Sequence, residues 1–232
     1  MIDLQYQIKI QDAGKILRAL VLSELLFIVI YFTDFSFGHP VWRISELFDL
    51  DSDSSIPTWF AIIQLFMIGF ITLLVAFSQK TTPPPSKKGL IIFGLGFIYL
   101  SLDEGSSIHE KITHEFYNNP LVPYFHGKHG IWIVVYGIIA IIITLILIKD
   151  IIAVCKSFSR EALIFALGMI IYLTGAAGGE TITFFYIDKT NPFVYCSEVI
   201  IEEFLELSGA SVLLYSVLLM AIKKSAFLNQ TH

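Results

Sequence analysis

Six apolar runs, at residues 16–32, 57–77, 89–110, 131–148, 162–186 and 197–222, leave this chain few ways to fold. Each approaches or exceeds the roughly 20 residues that a helix needs to cross a hydrocarbon core about 30 Å thick. Charged residues make up only 15% of the 232, against about 25% in an ordinary soluble domain, and hydrophobic residues reach 55%. The expectation is all-α: a polytopic membrane helix bundle with six transmembrane helices, forming one integral domain over residues 1–232. No stretch is left over for a separate soluble domain. Lys9, Lys15 and Arg18 precede the first run and no small-residue cleavage pattern follows it, so it reads as a retained helix rather than a signal peptide.

The linkers set the expected orientation. Putting the N-terminus inside assigns Lys9, Lys15, Arg18, Lys80, Lys87, Lys88, Lys149, Lys156, Arg160, Lys223 and Lys224 to one face. Only Arg43, Lys111, Lys128 and Lys189 fall on the other. Eleven against four is a strong positive-inside bias, and it predicts both termini in the cytoplasm. Pro83-Pro84-Pro85 cannot continue a helix and separates the second span from the third. The basic residues sit between apolar runs while many acids sit within them, which gives no footing for nucleic acid. The partners expected are the bilayer and a lipid or other amphiphile, and the setting expected is a bacterial plasma membrane. Cys155 and Cys196 fall at opposite faces, too far apart for a disulfide.

The acids within the runs carry the functional reading. Ionisable residues inside a membrane are expensive and mark cavities, ion paths or paired sites. The third run ends in Ser101-Leu102-Asp103-Glu104-Gly105-Ser106-Ser107-Ile108-His109-Glu110, the fifth carries Glu180 after Gly178-Gly179, and the sixth carries Glu198, Glu202, Glu203 and Glu206. At 1.5 Å per residue, Asp103 lies about 21 Å across, Glu180 about 27 Å, and Glu198 to Glu206 within about 14 Å of the opposite entry. All three sets therefore share the outer third of the bilayer. If the third span runs on as one helix, Asp103, Ser107, Glu110 and His114 line one face, with Glu104 and His109 to either side. Gly175, Ala176, Gly178 and Gly179 leave the fifth span slim enough to let a neighbour approach.

Carboxylates with histidine suit zinc, iron or manganese. This pattern predicts a divalent metal, Zn or Fe, held by Asp103, Glu110, His114, Glu180, Glu202 and Glu206. Glu104, His109 and Glu203 are then the catalytic candidates, as general bases toward a metal-activated water. The function expected is a membrane-embedded, metal-dependent hydrolase acting on a lipid or amphiphile at the outer, periplasmic face. A di-iron oxidase or hydroxylase is the runner-up chemistry, although the diagnostic Glu-x-x-His spacing is absent. The alternative from a different class is a proton- or divalent-cation-coupled transporter or channel, with Glu24, Ser23, Gln64, Thr174 and Ser211 hinting at a polar route inward. Glu24 also has a plain structural reading, a protonated carboxyl bridging helices. Trp59, Phe116, Phe184 and Phe185 are expected along a substrate path, and the fourth span reads as a purely structural, lipid-facing helix.

Overall fold

A computed structural model describes residues 10–78, 85–116, 131–187 and 189–230. The regular secondary structure of the described residues is helical: α1 (Ile10–Ser36), α2 (Trp42–Leu47), α3 (Ile56–Ser78), α4 (Lys87–Ser106), α5 (Ile108–Phe116), α6 (Ile131–Ser157), α7 (Ser159–Leu173), a π-turn (Thr174–Gly179), α8 (Glu180–Tyr186) and α9 (Pro192–Gln230). Among the described residues, six helical stretches are long and apolar enough to cross a membrane: α1, α3, α4, α6, α7 with its continuation to Thr183, and α9 as far as Lys224. Their lipid-ward faces are bare leucine, isoleucine and phenylalanine, as at Leu145, Ile141 and Leu163. The fold is an all-α bundle whose long apolar helices are consistent with a polytopic membrane protein.

The longest helix, α9, is the axis. Asn191 starts it by accepting the backbone N–H groups of Phe193 and Val194 (3.2 and 3.3 Å), with Pro192 in the first turn, where no amide is missed. α1, α3 and α7 pack around α9. Ala210, Leu213, Leu214 and Val217 are buried against Leu65 and Ile68 of α3 and partly buried α7 residues such as Ile164 and Met169, while Leu207 packs in a second cluster with Phe27 of α1 and Leu50. Small residues set the closest crossings. A Cβ on Gly209 would lie 2.6 Å from Tyr172 Cα, and one on Gly69 would lie 2.6 Å from the Gly94 carbonyl, so α9 meets α7 and α3 meets α4 backbone to backbone.

The third run departs from the expectation of one helix reaching Glu110. Ser107 takes a left-handed conformation (φ 46°), its N–H closes on the Asp103 carbonyl, and α5 begins at Ile108. Asp103 Oδ1 accepts the backbone N–H of His109 (2.8 Å), and Ser107 Oγ donates to Asp53 (2.6 Å). Serine and aspartate offer side-chain partners to backbone groups at helix ends, which favours a break over continuation. The supposed common face of Asp103, Ser107, Glu110 and His114 is therefore split between two helices. The fourth span also runs further than expected, through Lys149 and Lys156 to Ser157. Asp150 reaches back from it to the Ser86 N–H (2.6 Å) and hydroxyl (3.0 Å) at the start of α4.

Outside the bundle, Asp34 at the end of α1 holds His39 (2.6 Å) and Ser45 (3.0 Å), a structural role for that histidine. The short α2 exposes Trp42, Ile44 and Leu47, residues suited to a bilayer interface. Overpacking the α7–α9 crossing should be costly. Gly209→Leu is expected to destabilise by at least the 1–3 kcal/mol typical of overpacked cores, roughly, and to lower the thermal midpoint in detergent. Gly137→Ala, where the added carbon meets open space, should leave that midpoint unchanged or raise it.

Candidate functional site

α4 packs on α3 and α6 packs on α7, and a cavity of about 1400 Å³ opens between the two pairs. Aromatic side chains, rather than backbone packing, bridge the gap. Phe165 of α7 meets Phe93 and Phe97 of α4 (centroids 5.5 and 6.2 Å), and Tyr99 of α4 hydrogen-bonds Tyr136 of α6 (2.8 Å). The cavity extends from Asp51, Asp53 and the acids of α9 at one end to Gly89, Asp150, Phe158 and Lys224 at the other. From Glu206 to Lys224 is about 27 Å along α9 at 1.5 Å per residue, close to the thickness of a hydrocarbon core. The intervening walls are mainly Phe, Ile, Leu, Val and Ala. At the far end the Lys224 ammonium is 7% exposed and has no hydrogen-bond partner among the described residues.

All nine candidate residues border this one cavity: Asp103, Glu104, His109, Glu110, His114, Glu180, Glu202, Glu203 and Glu206. They differ in position. Glu110 and His114 are exposed residues of α5 at the rim, whereas Asp103 is buried. Glu203 lies within electrostatic range of Glu104 and Glu202, and Glu206 within range of Glu203, Glu104 and Glu180. The π-turn makes this crowding possible. A Cβ on Gly175 would lie 2.7 Å from Glu206 Cγ, and one on Gly179 would lie 2.6 Å from Glu202 Cγ. The glycines of the fifth span thus allow α9 to press its carboxylates toward Glu180, and a π-turn is a frequent feature of functional sites.

The break at Ser107 changes what His109 does. Instead of pointing off a continuous helix, it turns back onto Asp103, with Nδ1 3.3 Å from Oδ2. Burial alone would lower the pKa of the imidazole; the hydrogen bond and charge of Asp103, with Glu104 and Glu110 adding, reverse this and raise it above its ordinary value. Asp51, in the loop before α3, is also raised: burial dominates and Asp49 and Glu198 add, against the hydrogen bond from Tyr195 (2.7 Å) and the charge of Lys189. Around Glu180 and Glu198 the donors are neutral. Trp132 Nε1 donates to Glu180, and Thr183 Oγ1 donates to Glu198.

The sequence reading missed the aromatic wall. Trp132 and Tyr136 come from the fourth span, expected to be merely lipid-facing, and Trp132 stacks edge-on with both His109 (5.2 Å) and Tyr136 (5.6 Å). Their spacing of four residues, placing both on one helix face, was the available signal. Trp59, Phe116 and Phe185 do not border the cavity, and the side chain of Phe184 lies outside the described residues. Among the described residues no three His, Cys, Asp or Glu side chains are arranged to hold a metal ion.

Residues 18–222 match the family described as Domain of unknown function (DUF8692), and the chain belongs to that family. No curated protein matches, and no solved structure matches.

The raised pKa of His109 has a definite pH signature. Protonated, it pairs with Asp103 and holds α5 against α4, so this stabilisation is full below about pH 6.5, the ordinary histidine value. It is lost as pH rises through the higher folded value. Amide hydrogen exchange in α5, corrected for its intrinsic pH dependence, should show protection at pH 6 that declines above the folded pKa. His109→Gln should abolish the pH step.

Proposed function

We propose that the protein is a proton-coupled membrane carrier for amphiphilic cations. The observation that carries this reading is the cavity of about 1400 Å³, about as deep as the bilayer core, with apolar walls and a carboxyl-rich, aromatic end. Carboxylates beside Trp132, Tyr136 and Tyr99 suit an organic ammonium or similar delocalised cation, through charge and through the faces of the rings. The apolar length suits the rest of an amphiphile and disfavours a bare hydrated ion. Proton exchange follows from the same carboxyls. Unit charges of like sign about 4 Å apart repel by about 4 kcal/mol at an effective dielectric near 20, so an arriving cation displaces protons that had relieved that repulsion. The basic linkers orient the carboxyl end outward, with both termini cytoplasmic.

The metal-dependent hydrolase, with Zn or Fe among Asp103, Glu180, Glu202 and Glu206, is the competing reading. It is favoured by the pairing of His109 with Asp103 beside several carboxyls. It also requires those side chains to regroup around an ion, and Glu110 and His114 to turn in from the rim.

Proteoliposomes decide between them. Ethidium movement driven by an imposed pH gradient is expected, with an entrapped pH dye recording proton movement in the same vesicles. Glu203→Gln and Glu206→Gln should each slow both fluxes by about tenfold or more, the equivalent of 1.4 kcal/mol. Ethidium flux indifferent to the pH gradient would remove proton coupling. No flux, together with near-stoichiometric zinc or iron that Glu206→Gln releases, would transfer the assignment to the hydrolase.

A further inference from the structure

Halfway along α1, α3 and α9, and outside the cavity, three side chains form a closed polar cluster in the bundle core. Gln64 Nε2 donates to Glu24 Oε1 (3.1 Å) and to Ser211 Oγ (2.8 Å), and Ser211 Oγ donates to Glu24 Oε1 (2.5 Å). Glu24 and Ser211 are 0% exposed and Gln64 is 1% exposed. The donor count is decisive. A glutamine amide has two N–H groups and a serine one O–H, and all three are spent inside the trio. Two oxygens remain, Glu24 Oε2 and Gln64 Oε1, both fully buried and without a hydrogen-bond partner among the described residues. A buried acceptor left unmatched costs about 1–3 kcal/mol, and more when it is charged. Such a pair persists in a membrane core when something positive is bound between or beside its members.

The charges of the described residues do not supply it. α3 contains no titratable residue. On α1 the nearest are Arg18 and Tyr31, roughly 9 and 10 Å along the helix from Glu24. On α9 they are Glu206 and Glu203 toward the cavity mouth and Tyr215 toward the other end, with Glu203 about 12 Å along the helix from Ser211. Among the described residues, Ser211 and Gln64 are the groups that hydrogen-bond the Glu24 carboxyl.

We infer that Glu24, Gln64 and Ser211 form a second site that binds a monovalent cation, a proton or Na⁺, in the middle of the membrane. Glu24 supplies the charge, Gln64 Oε1 a second oxygen, and Ser211 fixes the carboxyl orientation through its hydroxyl. Further along α9 the same helix meets another buried carboxyl. Ser216 Oγ donates to the Glu161 carbonyl (2.7 Å), and Glu161 is 1% exposed, with Oε1 2.6 Å from Lys223 Nζ and Oε2 unpartnered among the described residues. The Glu24 site therefore stands between the carboxyls of the cavity mouth and the Glu161–Lys223 pair at the opposite end. A role as the station of the coupling ion rests on the carrier reading above; occupancy of the site does not.

Occupancy is tested on purified full-length protein in detergent, without substrate. A rise of the thermal midpoint with NaCl, absent with choline chloride and absent in Glu24→Gln and Ser211→Ala, is expected if the occupant is Na⁺. A proton instead gives the infrared C=O band of a buried protonated carboxyl, lost in Glu24→Gln and shifted in Ser211→Ala and Gln64→Leu. Ser211→Ala removes one hydroxyl and keeps the test open should Glu24→Gln fail to fold. Wild-type protein with neither a sodium-dependent midpoint nor a carboxyl band that responds to Ser211→Ala would overturn the site. Ethidium flux that survives in such protein would leave the carrier standing without this station. Ion binding without flux would leave the station and remove the carrier.

Discussion

A carboxyl group in hydrocarbon needs a donor, a proton or a cation, and most of this bundle is arranged around meeting that need. Isolated in such a medium, an ionised acid would cost far more than the few kcal/mol by which a fold is stable. The acids are accordingly gathered where partners exist. Asp103 takes His109 and its amide, Glu180 takes Trp132, Glu198 takes Thr183, and Glu24 takes Gln64 and Ser211. α9 contributes acids or hydroxyls to both inner clusters, and it is the span most enclosed by its neighbours.

That arrangement produces a division of labour across the bundle. On one side, α1, α3 and α9 pack tightly and enclose a small polar trio with no room for substrate. On the other, α4 and α6 stand away from α9, and aromatic pairs hold open a cavity about as deep as the bilayer core is thick. A large cavity and a compact buried polar cluster thus stand on opposite flanks of one helix, α9. The glycines at the π-turn and at the α7–α9 crossing let that helix come close enough for both sites to share it.

Much of this was legible in the residues. The apolar runs announce membrane helices because the length of a span is fixed by the bilayer, and the depth of each acid follows from a constant rise per residue. That reasoning brought Asp103, Glu180 and Glu206 to one level, and they border one cavity. It failed where a helix was assumed to continue. Nothing in the composition of Gly105-Ser106-Ser107 says whether the chain stays helical; the choice depends on Asp103 capturing the His109 amide and on Asp53 meeting Ser107 from another segment. Trp132 and Tyr136 were overlooked because an aliphatic run hides two aromatic residues whose importance lies in what stands opposite.

The sequence by itself determined six spans, the linkers between them and the approximate depth of each carboxyl, since these depend on distances along a helix of fixed geometry. Tertiary structure alone decided which acids share a cavity, which are closed into the Glu24 trio, and where α4 and α6 part. Those outcomes depend on helix rotation and on contacts between residues far apart in the chain, such as Glu24 with Ser211, and no local pattern encodes a partner 187 positions away.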